Sequence, residues 1–240
     1  MKTAVITGSS RGIGFATARL LADRGWNLVI NGGHDQEALR QAAEELSQIT
    51  RTDAFYGDVS LEEYACGIIN RAIDTYGQID LLINNAGISH IGLLSDMSTA
   101  QWRQVMQTNL DAVLFTCRAA IPHMVRRQKG RILNISSVWG EVGASCEAAY
   151  SASKGAVNSL TRALAKELGP SHISVNAISL GVIDTAMNQC FNEEERQALA
   201  EEIPFGRFAS PGEAAAFCCQ IAESPEYLTG QILRFDGGWI

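Results

Sequence analysis

The chain has 240 residues, 46% of them hydrophobic and 19% charged, a balance that suits a globular protein with a sizeable core. A formal net charge of −7 and a pI near 5.1 argue against non-specific binding to nucleic acid or an anionic membrane. No apolar run approaches the ~18 residues a membrane helix needs. No cleavable signal precedes the first strand-like segment, and the six cysteines form no Cys-x-x-Cys pair, so a reduced cytoplasmic protein without a metal site is expected.

The first strand candidate, TAVIT (3–7), runs into TGSSRGIG (7–14) and an amphipathic helix at 13–24. Gly8 and Gly12 would let the backbone turn tightly and approach a pyrophosphate. Gly14 would let the helix pack on the sheet, its N-terminal amides facing the phosphates, with Ser10, Arg11 and Ile13 completing the loop. The second strand, NLVI (27–30), leads into INGGHD (30–35). An NAD-preferring site usually carries a carboxylate at the end of this strand, but Gly32 stands there and Asp35 follows three residues later. Glycine leaves room for a 2′-phosphate, and Arg11 could supply its counter-charge. The expected cofactor is therefore NADP(H) rather than NAD(H).

A helix is predicted at 36–48, then a third strand, AFYGDV (54–59), ending at Asp58 and Val59. Asp58 could accept from an adenine amino group there, with Val59 against the ring. Next come a helix at 61–75 and a strand, IDLLINNA (79–86), whose end brings Asn85, Ala86 and Gly87 to the ligand-binding carboxyl edge. Helices at 99–128, 150–168 and 211–222 alternate with strands RILNIS (131–136), SVNAIS (174–179) and ILRFD (232–236). Most strands are apolar on both faces, as in a parallel sheet covered on both sides. The expected fold is α/β: one Rossmann-type, doubly wound domain over 1–240 with about seven strands.

The stretch SSVWGEVGASCEAAYSASK (136–154) concentrates the chemistry. Tyr150 and Lys154 are four apart and share a helix face. A tyrosine with its ordinary pKa of about 10 is a sluggish acid–base group at neutral pH. A lysine cation within ~4–6 Å could make it roughly ten to a thousand times more acidic. Ser137 ends the fifth strand on the same edge, while Ser136 points to the other face.

Together TGSSRGIG, NNAG (84–87), Asn109, the Ser137…Tyr150-x-x-x-Lys154 set and DGG (236–238) resemble the short-chain dehydrogenase/reductase family over essentially the whole chain. IPFGRFASPGE (203–213) and YLTGQILRFDGGW (227–239) look most like its 3-oxoacyl-acyl-carrier-protein reductase group. The resemblance implies a seven-stranded sheet, a homotetramer built as a dimer of dimers, and NADPH-dependent reduction of a ketone resembling a 3-oxoacyl thioester. It makes Tyr150 the proton donor, with Ser137 bonded to the same substrate oxygen. Lys154 would hold the nicotinamide ribose, and Asn109 a water linking Lys154 to solvent. Gly181, Val182 and Thr185 would shape the nicotinamide pocket, where Leu180 replaces the family's usual proline.

The segment 186–202 reads as an acidic helix or lid, with Met187 and Phe191 as apolar substrate contacts and Trp139 lining the pocket. Arg126, Arg127, Lys129 and Arg131 could dock an acidic carrier protein, although the acidic overall charge and the 193–202 cluster oppose that partner. VWGEVGASCEAAYS also resembles a branch of these reductases acting on the 5-aminopentanone group of a lysine on elongation factor P. There Glu141 or Glu147 would read the substrate's cation. A regulator that binds NADP without chemistry is the alternative of another class; such proteins tend to lose the tyrosine or the lysine, and both stand here.

Overall fold

The computed structural model describes residues 1–188 and 191–240. Seven strands form one sheet: β1 (Thr3–Ile6), β2 (Asn27–Gly32), β3 (Thr52–Tyr56), β4 (Leu81–Asn84), β5 (Gly130–Ser137), β6 (Ile173–Leu180) and β7 (Ile232–Phe235). All pairs are parallel and the order is β3-β2-β1-β4-β5-β6-β7. The chain steps outward from β1 to β3, then crosses back to lay β4 on the other side of β1. The loops after β1 and β4 therefore diverge and open a crevice at the carboxyl edge.

Period-two alternation assigns the two faces of the sheet. Ala4 and Ile6 of β1 and Leu28 and Ile30 of β2 join one buried core with α1 (Gly12–Asp23), α2 (Gln36–Ser47) and α9 (Pro211–Ala222). Val5 and Val29 face the other core, with α3 (Glu62–Tyr76), α5 (Ala112–Arg127) and α7 (Ala148–Leu168). Local signals set the helix ends. Ser210 and Glu213 form a capping box on α9 with Pro211 in its first turn, and Asp35 caps α2 by accepting from the Ala38 amide. Helix α1 differs: its N-cap is Arg11, with no side-chain cap bond, so its first amides remain available to an anion.

Three expectations are revised. The third strand ends at Tyr56, so Asp58 and Val59 lie in the following turn, where Asp58 accepts from the Ser60 amide at 2.9 Å. The predicted 99–128 helix is interrupted: α4 (Thr99–Met106), a π-turn at Gln107–Asp111, then α5. A short helix that the pattern did not show, α6 (Trp139–Val142), follows β5 directly. The acidic helix does form, as α8 (Glu193–Glu202), capped by Asn192; the part of the 186–202 prediction at 189–190 lies outside the described residues.

A buried polar ladder crosses the centre of the sheet. Thr116 of α5 donates to Asn84 of β4 at 2.7 Å, Asn84 to Asn134 of β5 at 2.9 Å, and Asn134 to Thr161 of α7 at 2.9 Å. All four residues are at most 3% exposed. Asn134→Ala leaves buried partners unsatisfied and is expected to lower unfolding free energy by about 2–3 kcal/mol, read from urea denaturation.

Candidate active site

The crevice is held by side chains that tie the loops to one another. Thr7 Oγ1 accepts from the amides of Asn85 and Ala86 at 3.0 and 3.1 Å, and Asn85 Nδ2 donates to the carbonyls of Thr7 and Gly8 at 3.0 and 2.8 Å. Asn31 accepts from the Gly8 amide at 3.2 Å and donates to the carbonyls of Phe55 and Gly57 at 3.0 and 2.9 Å. Three strand ends thus share one amide side chain. At Gly8, with φ +61°, a β-carbon would stand 2.8 Å from the α-carbon of Ala86, so no larger residue fits without moving the loop.

These loops border a cleft of about 770 Å³. Its walls include Gly8, Ser10, Arg11, Gly12 and Ile13 from the first turn and Gly32 from the end of β2. Asp58, Val59, Asn85, Ala86, Gly87, Gly181 and Thr185 also face it. Gly14 sits behind the wall, where a β-carbon would come 2.5 Å from the Gly8 carbonyl oxygen and 2.6 Å from Asn85 Nδ2. Val182 is likewise off the wall, its carbonyl accepting from the Ala209 amide at 3.1 Å. Leu180 continues β6, paired with Phe235, and receives the Val138 amide at 3.0 Å, so an ordinary strand end replaces the proline turn. The uncapped start of α1, the glycines of the turn and the exposed side chain of Arg11 fit a phosphate-bearing dinucleotide.

Ser137, Tyr150 and Lys154 meet on the adjoining wall. Ser137 Oγ accepts from the Trp139 amide at 3.2 Å and its hydroxyl bonds the Tyr150 oxygen. Lys154, 4% exposed, donates to the Ile135 carbonyl at 2.8 Å and lies 5.7 Å from the centre of the Tyr150 ring. The expected acidification of Tyr150 is reversed in the protein itself. Burial pushes the phenol up to about 12; the Ser137 bond opposes this and the Glu147 carboxylate adds to it. Burial also lowers Lys154 to about 8. At neutral pH the tyrosine keeps its proton.

Asn109 is fully buried on the π-turn. Its Oδ1 accepts from the Ile88 amide at 2.8 Å, and its Nδ2 donates to the Ile88 carbonyl at 2.9 Å and to Ser153 Oγ at 3.0 Å. It staples the loop after β4 to α7. A β-carbon at Gly87 would stand 3.3 Å from Asn109 Oδ1 and 3.4 Å from Lys154 Nζ, so both groups crowd one glycine.

The substrate-side predictions divide. Met187 lines the cleft. Trp139 does not: its ring packs against Trp239, centroids 4.7 Å apart. Glu141 is also directed elsewhere, into an ion pair with Arg234 at 2.9 Å. Phe191 is half-buried and is not part of the wall. Glu147 stays near the chemistry, accepting at 2.6 Å from Ser89, which lines the cleft. The basic run Arg126–Arg131 sits where β5 begins, with Arg127 bonded to Asp80 at 3.2 Å, whereas Ser137 ends that strand. At about 3.3 Å per residue the run is roughly 20 Å along the strand from the cleft. Sequence reasoning missed Thr7, Asn31, His34 and Ser89. The first two are recognisable only once three strand ends are brought together.

A glycine turn at a sheet switch point, beside a protonated tyrosine and a buried lysine, is the arrangement of a dinucleotide-dependent oxidoreductase. A family model of the short chain dehydrogenases matches residues 2–196, and the chain belongs to that family. It is 41% identical to an uncharacterized oxidoreductase, YmfI, of Bacillus subtilis, covering 99% of this chain and 98% of that one. It is 37% identical to the 3-oxoacyl-[acyl-carrier-protein] reductase FabG of Chlamydia muridarum, covering 99% and 96%. A crystal structure provisionally named gluconate dehydrogenase, from Agrobacterium tumefaciens, superposes with a TM-score of 0.93 at 34% identity, covering 99% of this chain and 95% of that one. Among the described residues no group of three or more His, Cys, Asp or Glu could hold a metal ion, and no helix is long and apolar enough to cross a membrane.

The lowered lysine has a consequence for stability. Its charged form is disfavoured in the folded state, so it opposes folding below pH 8, and that opposition fades as pH rises from about 8 to the ordinary value of 10.5. Lys154→Met is expected to stabilise the protein at pH 7 by up to about 3 kcal/mol. Denaturation at several pH values should show that gain shrinking above pH 8.

Proposed function

We propose that the chain reduces a ketone to a secondary alcohol using NADPH. The observation that carries this reading is the protonated, half-buried Tyr150 bonded to Ser137 on a cleft that also holds Lys154 and the glycine turn. Bound NADPH would supply the hydride for the carbonyl carbon. Tyr150 gives its proton to the carbonyl oxygen, Ser137 donates a hydrogen bond to that oxygen, and Lys154 stabilises the resulting phenolate and holds the cofactor's ribose. Solvent then returns the proton to Tyr150, with Asn109 holding the water that links Lys154 outward. The preference for NADPH is supported by Gly32 at the end of β2 and by Arg11, whose exposed side chain lines the cleft and makes no hydrogen bond or ion pair among the described residues. Asp35, the next carboxylate along the chain, is engaged in capping α2. Arg11→Ala is expected to raise KM for NADPH by about ten- to a hundredfold, the value of a charge-assisted bond, with little change for NADH.

Two substrates compete. The name of the Chlamydia relative supports a 3-oxoacyl thioester. Glu147 favours the second reading, an aminoketone such as the 5-aminopentanone on a lysine of elongation factor P: a carboxylate that acts on Tyr150 and bonds a cleft residue is suited to an ammonium group. A cytoplasmic homotetramer goes with either; self-association is supported by Trp102 of α4 and Leu114 of α5, which expose 37% and 42% of their surface.

Oxidation of NADPH with a ketone panel is the test. Tyr150→Phe is expected to lose about 10²–10⁴-fold in kcat while NADPH still binds. Unchanged turnover would remove Tyr150 as the proton donor, whereas NADPH binding with no oxidation by any ketone in the parent protein would leave the NADP-binding regulator. Glu147→Gln should cut reduction of an aminoketone about tenfold, the scale of one charged hydrogen bond, and spare acetoacetyl-coenzyme A; equal losses on both would remove the aminoketone reading.

A further inference from the structure

Glu141 follows Ser137 by four residues, yet it is bound to the far end of the chain. Its carboxylate accepts hydrogen bonds from Ser179 of β6 and from Arg234 of β7, the latter at 2.9 Å. The other terminal nitrogen of Arg234 donates to the carbonyl of Ile240, the last residue. Trp139 on the same short helix rests on Trp239, and Asp236 closes the tail by accepting from the amides of Gly238 and Ile240 at 3.0 and 3.2 Å. Burial raises the affinity of Glu141 for a proton, but its bonds to Arg234 and Ser179 and the charges of Arg234 and Arg162 outweigh that. Its carboxyl therefore stays below the ordinary range and remains ionised at neutral pH.

The same helix meets α7 through Gly140. A β-carbon there would stand 2.7 Å from the carbonyl carbon of Lys154 and 2.8 Å from its β-carbon, and Asn158 of α7 donates to the Gly140 carbonyl at 3.3 Å. Helix α6 is thus pinned between the C-terminal segment and the backbone of Lys154, directly after Ser137. We infer that Glu141 is a positioning residue: through Arg234 and the C-terminal segment it clamps α6 onto α7 and so sets Ser137 against Tyr150 and Lys154. The inference rests on the reading of those three residues as the reacting groups, and it would give segment 234–240 control over turnover.

Full-length Glu141→Gln, Trp239→Ala and the reversed pair Glu141→Arg with Arg234→Glu test it. Three readouts apply: kcat and KM for NADPH-dependent reduction of acetoacetyl-coenzyme A or the best ketone of the panel, NADPH affinity by fluorescence, and hydrogen exchange across 137–154. Each of the first two variants should lose about tenfold or more in kcat, the scale of a sub-ångström misplacement. Both should keep NADPH affinity and exchange faster at 138–150, while the reversed pair recovers most of both losses. Unchanged kcat and exchange in Glu141→Gln, or a loss that matches the unfolded fraction with no recovery in the reversed pair, would overturn the inference. Tyr150→Phe separates the two claims: if it retains turnover, the reading of the reacting groups fails, and hydrogen exchange, which needs no substrate, still decides the clamp.

Discussion

The structure around the cleft is organised by the burial of one ammonium group. Lys154 is 4% exposed and has the Ile135 carbonyl as its acceptor, in a setting where burial opposes its charge. Such a side chain keeps its direction only if the surrounding backbone comes close on several sides. Gly87 leaves space beside the nitrogen, Gly140 lets α6 lie against the lysine's own backbone, and Asn109 binds the loop after β4 to the preceding residue, Ser153. A β-carbon at Gly140 would collide with the lysine's backbone, and one at Gly87 would crowd Asn109 Oδ1 and Lys154 Nζ. The π-turn belongs to the same set of constraints, because it carries Asn109 into reach of Ile88.

Burial moves the two helical neighbours in opposite electrical senses. It keeps Tyr150 neutral by holding its proton and pushes Lys154 toward neutrality by loosening one. Under the proposed chemistry this polarity suits reduction, where the phenol must begin protonated. A resting phenolate would suit alcohol oxidation. Glu147 strengthens the bias, since its negative charge disfavours a second one on Tyr150. The glutamates that interrupt the segment between Ser137 and Tyr150 therefore serve separate ends. Glu147 acts on Tyr150 and bonds Ser89, and Glu141 is paired with Arg234 of β7.

Most of the architecture was legible because parallel strands covered on both sides read as short apolar runs, and all seven runs became strands. The spacing of Tyr150 and Lys154 survived for a similar reason: it depends only on the pitch of one helix. What was not legible depended on distant partners. Trp139 and Glu141 read as pocket residues by position, but Trp239 and Arg234 claim them from about a hundred residues away. A π-turn inserts its bulge without breaking the apolar period, so 99–128 looked continuous. The third strand was extended too far because Val59 is buried at 3% although the strand has already ended. The acidity of Tyr150 was misjudged because spacing shows the nearby cation but not the loss of water.

The amide ladder between β4 and β5 bears on how the sheet finds its alignment. Strands apolar on both faces offer little to distinguish one alignment from another two residues away, since each places aliphatic groups against aliphatic groups. Asn84 and Asn134 are direct partners in the observed pairing. Sliding the strands would strand both amides in a dry interior, along with the hydroxyls of Thr116 and Thr161. The ladder thus acts as a registration mark that rejects near-miss assemblies of the sheet. Because β5 ends at Ser137, that mark also determines how far the serine projects beyond the edge.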